Sequence, residues 1–141
     1  MANRGRGTHV LAVLGTVLAW LPLAATVLIS LAGSLARGVF LFDYLMPAEF
    51  FPVAVVGGGL LVWAAVRARV RLRWIAGSLA LAVALLAAVQ GLAWAIGLAS
   101  GAAEPSGWRL AAVLAVYAAF VAAYLALATN GTLLLRDLRR A

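Results

Sequence analysis

Four long apolar runs dominate the sequence, and short stretches that hold nearly all the charged residues separate them. The runs cover residues 9–32, 50–66, 74–99 and 110–135. A helix needs about 20 apolar residues to cross the hydrocarbon core of a bilayer, and each run is close to or above that length. The runs are continuous and rich in Ala and Leu, which favours helices over strands. The pattern predicts an all-α membrane protein, a four-helix bundle forming one domain over residues 1–141.

The composition agrees with a lipid environment. Hydrophobic residues make up 67% of the chain and charged residues 11%, and the mean hydropathy is +1.10. A water-soluble domain of this size needs more charged groups to cover its surface. There is no cysteine and one histidine, His9, so we expect neither a metal site nor a cofactor. Basic residues that are all arginine, in a chain rich in Ala, Leu, Val and Gly, are typical of a GC-rich prokaryotic genome.

The arginines are distributed unevenly around the predicted spans. Two of them, Arg37 and Arg109, lie on one side of the predicted membrane. Nine lie on the other side: Arg4, Arg6, Arg67, Arg69, Arg71, Arg73, Arg136, Arg139 and Arg140. Cytoplasmic segments carry the excess of positive charge in membrane proteins. We therefore expect an up-down-up-down bundle in the cell membrane, with both termini in the cytoplasm.

The link "RARVRLR" between the second and third spans contains four arginines: Arg67, Arg69, Arg71 and Arg73. Alternation of arginine with apolar residues could indicate a strand. Two helix ends whose guanidinium groups reach lipid phosphates fit the flanking spans better. The charges are an ordinary topology signal, and specific lipid recognition is the alternative hypothesis. Because the arginines cluster beside apolar runs, the net charge of +7 does not indicate a nucleic-acid partner.

The aromatic stretch "LFDYLMPAEFFP" holds two of the four acids, Asp43 and Glu49. Residues 38–49 are predicted to lie along the outer interface, between the first and second helices. Pro47 would be the first helical position, which puts Glu49 in the first turn, where the helix dipole favours an anion, and Pro52 in the second turn. The functional alternative is that Glu49 is the carboxylate of an outer cation or proton site.

The predicted bundle interior contains no charged residue. Gln90 and Tyr117 are predicted at similar depth, since each lies about nine residues from the outer end of its span. A hydrogen bond between them would hold two antiparallel helices together. The alternative is a polar spot that lines a path for a small molecule. On the fourth span, Tyr117, Phe120 and Tyr124 share one face, which could contact lipid, a partner or a ligand.

Small residues recur at intervals of three or four positions on the last two spans. Such rows allow close helix packing in lipid, where no hydrophobic force drives association. The rows are Ala76, Ala80, Ala84 and Ala88; Ala87, Gly91, Ala95 and Ala99; and Ala111, Ala115, Ala118, Ala122 and Ala126. In the second span, the run Gly57-Gly58-Gly59 predicts either close approach of another backbone or a bend. Pro22 removes one hydrogen bond from the first helix.

These patterns favour a small non-catalytic membrane protein, an accessory or self-associating component. Its expected partners are the lipid bilayer, further copies of itself or a larger membrane complex. The alternative is an oligomeric transporter or channel that uses Glu49, Gln90 and Tyr117. We do not expect an enzyme, because the sequence has no nucleophile–base pair, metal cluster or cofactor motif.

Overall fold

The chain folds into four α-helices in a computed structural model that describes residues 5–38, 50–104 and 106–140. The helices are α1 (Arg6–Arg37), α2 (Phe51–Ala68), α3 (Leu72–Ala95) and α4 (Gly107–Arg140). Each helix is long and apolar enough to cross a membrane. The prediction of an all-helical chain with four candidate spans is therefore confirmed.

The second helix begins at Phe51, next to the start of the apolar run at residue 50. Phe50 is its N-cap residue and Pro52 lies in its first turn, whereas the sequence reading placed Pro52 in the second turn. Backbone N–H groups in the first turn of a helix have no intrahelical partner. Proline, which lacks an N–H, therefore loses no hydrogen bond at this position. Asp43, Pro47 and Glu49 lie outside the described residues, and so does most of the predicted interfacial segment.

The third helix ends earlier than predicted, at Ala95 rather than Ala99. Gly97 has a φ of 80°, in the left-handed region that favours glycine. The Ala99 N–H donates a hydrogen bond of 3.0 Å to the Ala93 carbonyl and closes the turn. A glycine soon after the last apolar turn is an ordinary helix stop, and it shortens this span.

Contacts between residues divide the chain into two compact units. The first contains residues 1–75 and 128–141, and the second contains residues 76–127. The first unit therefore holds α1, α2, the start of α3 and the last turns of α4. The second unit holds the rest of α3 and α4 with the turn that joins them.

In the first unit, α1 and α2 are in backbone contact at two glycines. A Cβ atom on Gly57 would lie 2.9 Å from the Ala19 nitrogen and 3.0 Å from the Leu18 carbonyl carbon. A Cβ atom on Gly15 would lie 2.9 Å from the Leu61 nitrogen. Only glycine fits at such a contact. Position numbers rise along α1 as they fall along α2, so the two helices are antiparallel here, and Gly57 provides the predicted close approach.

The last turns of α4 join this contact through the side chain of Leu61, which is fully buried. A Cβ atom on Gly131 would lie 2.9 Å from Leu61 Cδ1 and 3.1 Å from Thr16 Oγ1. The Thr16 hydroxyl donates a 2.7 Å hydrogen bond to the Ala12 carbonyl, which satisfies this buried polar group within its own helix. Leu61 is thus the centre of a three-helix contact.

In the second unit, larger side chains form the buried face of α4. Phe120 and Tyr124 are buried and Tyr117 is half-buried. The ring centroids of Tyr117 and Phe120 are 5.9 Å apart, and those of Phe120 and Tyr124 are 6.2 Å apart. Both separations lie in the range of favourable aromatic pairs. The aromatic face of α4 is therefore an internal packing face at Phe120 and Tyr124, and not a lipid-facing one.

Candidate functional site

Two contacts bring the ends of the helices together in the first unit. Arg71 Nε, between α2 and α3, lies 2.6 Å from Asp137 Oδ2 near the end of α4. A Cβ atom on Gly7, in the first turn of α1, would lie 3.8 Å from Nη1 of Arg67 in the last turn of α2. We call this region the arginine-rich end. Its described arginines are Arg6, Arg67, Arg69, Arg71, Arg73, Arg136, Arg139 and Arg140.

The link between α2 and α3 has only three residues, because α2 ends at Ala68 and α3 begins at Leu72. It is a turn between two helices, so the strand alternative for this stretch is wrong. Arg69 and Arg71 have φ angles of 53° and 57°, and the Arg69 N–H donates to the Val66 carbonyl at 3.3 Å. Glycine or asparagine usually occupies such left-handed positions, which cost other residues about 1–2 kcal/mol each. The link keeps arginine at two positions where glycine would be less strained.

Asp137 is the one acidic residue in the described part of the arginine-rich end. The side chains of Arg71 and Asp137 are 31% and 35% exposed. A partly exposed ion pair of this kind contributes about 0–1 kcal/mol to stability. Since one carboxylate faces eight described arginines, the region keeps a strong positive charge, which favours an anionic partner.

A groove of about 520 Å³ runs along the last turns of α4. It is lined by Thr132, Leu135, Arg136, Arg139 and Arg140, whose spacing of three and four places them on one helix face. Its three arginines lie in the last two turns of α4, and Thr132 and Leu135 come before them along the helix. This surface, which we call the α4 groove, is charged at one end and apolar at the other.

The apolar end of the α4 groove is linked to α1 by a hydrogen bond. Trp20 Nε1 donates to Thr132 Oγ1 at 3.0 Å. The same hydroxyl donates to the Ala128 carbonyl at 3.2 Å. The hydroxyl hydrogen of Thr132 and one lone pair of its oxygen are therefore both used in hydrogen bonds within the protein. A smaller cleft of about 350 Å³, lined by Arg6, His9, Val10 and Leu138, lies between the first turns of α1 and the end of α4.

Of the three polar residues predicted for transport or packing, the structure describes Gln90 and Tyr117. Glu49 lies outside the described residues, Gln90 is exposed on α3, and Tyr117 is half-buried on α4. The hydrogen bond between Gln90 and Tyr117 and a transport role for Glu49 remain predictions. Within the described residues, no group of three or more His, Cys, Asp or Glu side chains could hold a metal ion.

Sequence reasoning missed the partnership between Arg71 and Asp137 and the one between Trp20 and Thr132. The first had a signal: Asp137 is the only acid on the arginine-rich side of the predicted topology. The second joins residues 112 positions apart, and no local pattern indicates it. The sequence predicted the link and terminal arginines on one side of the membrane, and the ion pair between Arg71 and Asp137 joins the link to the end of α4.

Most members of the small-residue rows on the last two spans are exposed, and Ala76 is half-buried. On α4, all five members of the row are exposed: Ala111, Ala115, Ala118, Ala122 and Ala126. On α3, the exposed members are Ala80, Ala84, Ala87, Ala88, Gly91 and Ala95, and Ala99 is exposed in the turn that follows. The buried residues of the second unit lie outside these rows and include Ala82, Val89, Phe120, Ala123 and Tyr124.

Four helices that are long and apolar enough to cross a membrane are compatible with a small helical membrane protein. No protein-family model, curated protein or solved structure matches it. Its two candidate functional surfaces are the α4 groove at the arginine-rich end and the exposed small-residue faces of α3 and α4.

Proposed function

We propose that this chain is a small non-catalytic protein of the cell membrane that associates with further copies of itself through α3 and α4. The observation that carries the proposal is the exposure of the small-residue rows on these two helices. Small residues let two helix backbones approach closely, and close packing is a main source of helix association in lipid. The first unit uses the same chemistry internally, where Gly57 meets Ala19.

The burial of the four spans supports the choice of α3 and α4. In the most apolar stretch of each helix, 33% of α1 and 39% of α2 is buried, against 17% of α3 and 22% of α4. The last two helices therefore offer the larger share of their surface to lipid or to another protein. These exposed faces carry few polar side chains, so the specificity of self-association would come from the shape of the packed helix surfaces.

Leucine in the exposed rows tests this proposal. We expect Ala84→Leu together with Ala118→Leu to weaken self-association at least about tenfold, equivalent to about 1.4 kcal/mol. Both side chains are exposed, so the fold of the single chain should tolerate the change. The measurement is native mass spectrometry of protein purified in a gentle detergent, over a range of protein concentrations.

Val83→Leu is the matched control, because it enlarges an exposed side chain beside the row and should leave association unchanged. A wild-type protein that is monomeric at all concentrations would contradict the proposal. A second protein in fixed stoichiometry, in place of a second copy, would instead make the chain an accessory subunit.

The proposed arrangement in the membrane is up-down-up-down, with both termini and the arginine-rich end in the cytoplasm. The support is the positive charge of that end, since cytoplasmic segments carry the excess of arginine. We expect a reporter fused after Ala141 to be active in the cytoplasm, and one inserted in the segment 100–106 to be active outside. A C-terminal fusion that worked only outside the cytoplasm would reverse the orientation.

A further inference from the structure

We infer that the α4 groove binds an anionic phospholipid, with the phosphodiester headgroup at Arg136, Arg139 and Arg140 and an acyl chain along Leu135. This inference concerns the first unit and does not depend on self-association through α3 and α4. It rests on the charge of the groove, on its division into charged and apolar parts, and on the engagement of its hydroxyl group.

The charged part of the groove suits a phosphodiester. Arg136 and Arg140 are one helical turn apart, so their side chains leave the same face of α4. A guanidinium group presents a planar fork of N–H donors that matches two phosphate oxygens. Asp137, the acid nearest to them in the sequence, is engaged by Arg71 at 2.6 Å. Because Asp137 is already paired with Arg71, it does not neutralise the groove arginines, and the electrostatic potential of the groove stays positive.

The apolar end of the groove favours a lipid over a soluble anion. Leu135 is apolar, and the Thr132 hydroxyl already accepts from Trp20 and donates to the Ala128 carbonyl. A water-soluble phosphate compound would find few polar partners there, whereas an acyl chain needs none. The order of the groove, charged at the helix end and apolar toward the span, is that of a phospholipid at the membrane surface.

The link arginines support the same partner. Arg69 and Arg71 occupy left-handed backbone positions where glycine would be less strained. Arg71 pairs with Asp137, and Arg69 is exposed. They add to the positive field of the arginine-rich end, which concentrates anionic lipids around the groove.

Trp20 provides a local probe, because its indole N–H contacts Thr132 in the groove. The test uses the full chain with Trp20 as its single tryptophan. The other four tryptophans are replaced by phenylalanine: Trp63, Trp74, Trp94 and Trp108, which are 57–71% exposed. The protein is placed in phosphatidylcholine vesicles that contain increasing fractions of brominated phosphatidylglycerol or, in parallel, brominated phosphatidylcholine. Bromine quenches tryptophan fluorescence only at short range.

We expect half-maximal quenching of Trp20 at an about tenfold lower fraction of brominated phosphatidylglycerol than of brominated phosphatidylcholine. Arg136→Gln together with Arg140→Gln should abolish this preference. Arg37→Gln together with Arg109→Gln is the matched control, since it removes the same charge from two exposed arginines elsewhere and should retain the preference.

Two results would overturn the inference. The first is equal preference in the wild-type chain and the Arg136/Arg140 variant, or no preference in either, because the groove would then hold no specific lipid. The second is loss of the preference in inorganic phosphate but not in sodium chloride of the same ionic strength, which would indicate a site for a soluble phosphate.

Discussion

Alanine in place of Gly57 should destabilise the chain by about 1–3 kcal/mol, the usual cost of forcing an extra group into a tightly packed contact. The new Cβ atom would lie 2.9 Å from the Ala19 nitrogen and 3.0 Å from the Leu18 carbonyl carbon. Both are backbone atoms of α1, so no side-chain rotation can relieve the clash and the two helices must move apart. The free energy of unfolding can be measured by SDS titration in mixed micelles, followed by tryptophan fluorescence.

Gly59→Ala is the matched control for this experiment, in the same glycine run. A Cβ atom on Gly59 would meet nothing within 4 Å, and alanine is favoured over glycine inside a helix by about 1 kcal/mol. We therefore expect Gly59→Ala to be neutral or stabilising, the opposite sign to Gly57→Ala. Equal unfolding midpoints for the two variants would contradict the α1–α2 contact.

A double-mutant cycle at Leu61 and Gly131 should show strong coupling between α2 and α4. Leu61→Ala leaves a cavity at a fully buried position, at a cost of about 2–5 kcal/mol. Gly131→Ala places its Cβ atom 2.9 Å from Leu61 Cδ1 and should also destabilise the chain. In the double variant, the new methyl group enters the space that the leucine leaves. We expect the double variant to be more stable than additivity predicts by about 1–3 kcal/mol.

The control cycle pairs Leu61→Ala with Gly57→Ala. The clash at Gly57 is with the backbone of α1, which a smaller residue at position 61 does not remove, so the two costs should add. Unfolding free energies from the same SDS titration measure both cycles. Additivity in the Leu61–Gly131 cycle would mean that α4 does not pack on Leu61.

The length and continuity of the apolar runs were enough to predict four helices, because crossing a bilayer sets a minimum that leaves few alternatives. Helix ends were less predictable. Pro52 and Pro47 both qualify as a first-turn proline, and the structure uses Pro52 for α2. Gly97 ends α3 through its positive φ, while Gly91, also in an apolar run, lies within that helix. Local composition does not separate such cases.

The sequence does not indicate which small residues pack inside the chain, for a different reason. In an alanine-rich sequence, small residues at four-residue spacing occur on every face of a helix. Which of these faces packs against another helix depends on the side chains of that second helix. Gly15, Gly57 and Gly131 provide the internal contacts, because only glycine admits another helix at the distances found there. The arginines of the candidate site were evident from the sequence, but the ion pair with Asp137 spans 66 positions and depends on the fold.

The three-residue link between α2 and α3 has a consequence for how the chain is made. α2 has 18 residues, about 27 Å at 1.5 Å per residue, so it barely covers the hydrocarbon core. It is also the least apolar of the four spans. The link is short and carries arginine at both ends, so we expect that α2 does not insert into the bilayer before α3 has been synthesised. During synthesis, α2 and α3 should therefore leave the translocon together as a hairpin, and a ribosome stalled before α3 has emerged should hold α2 outside the lipid.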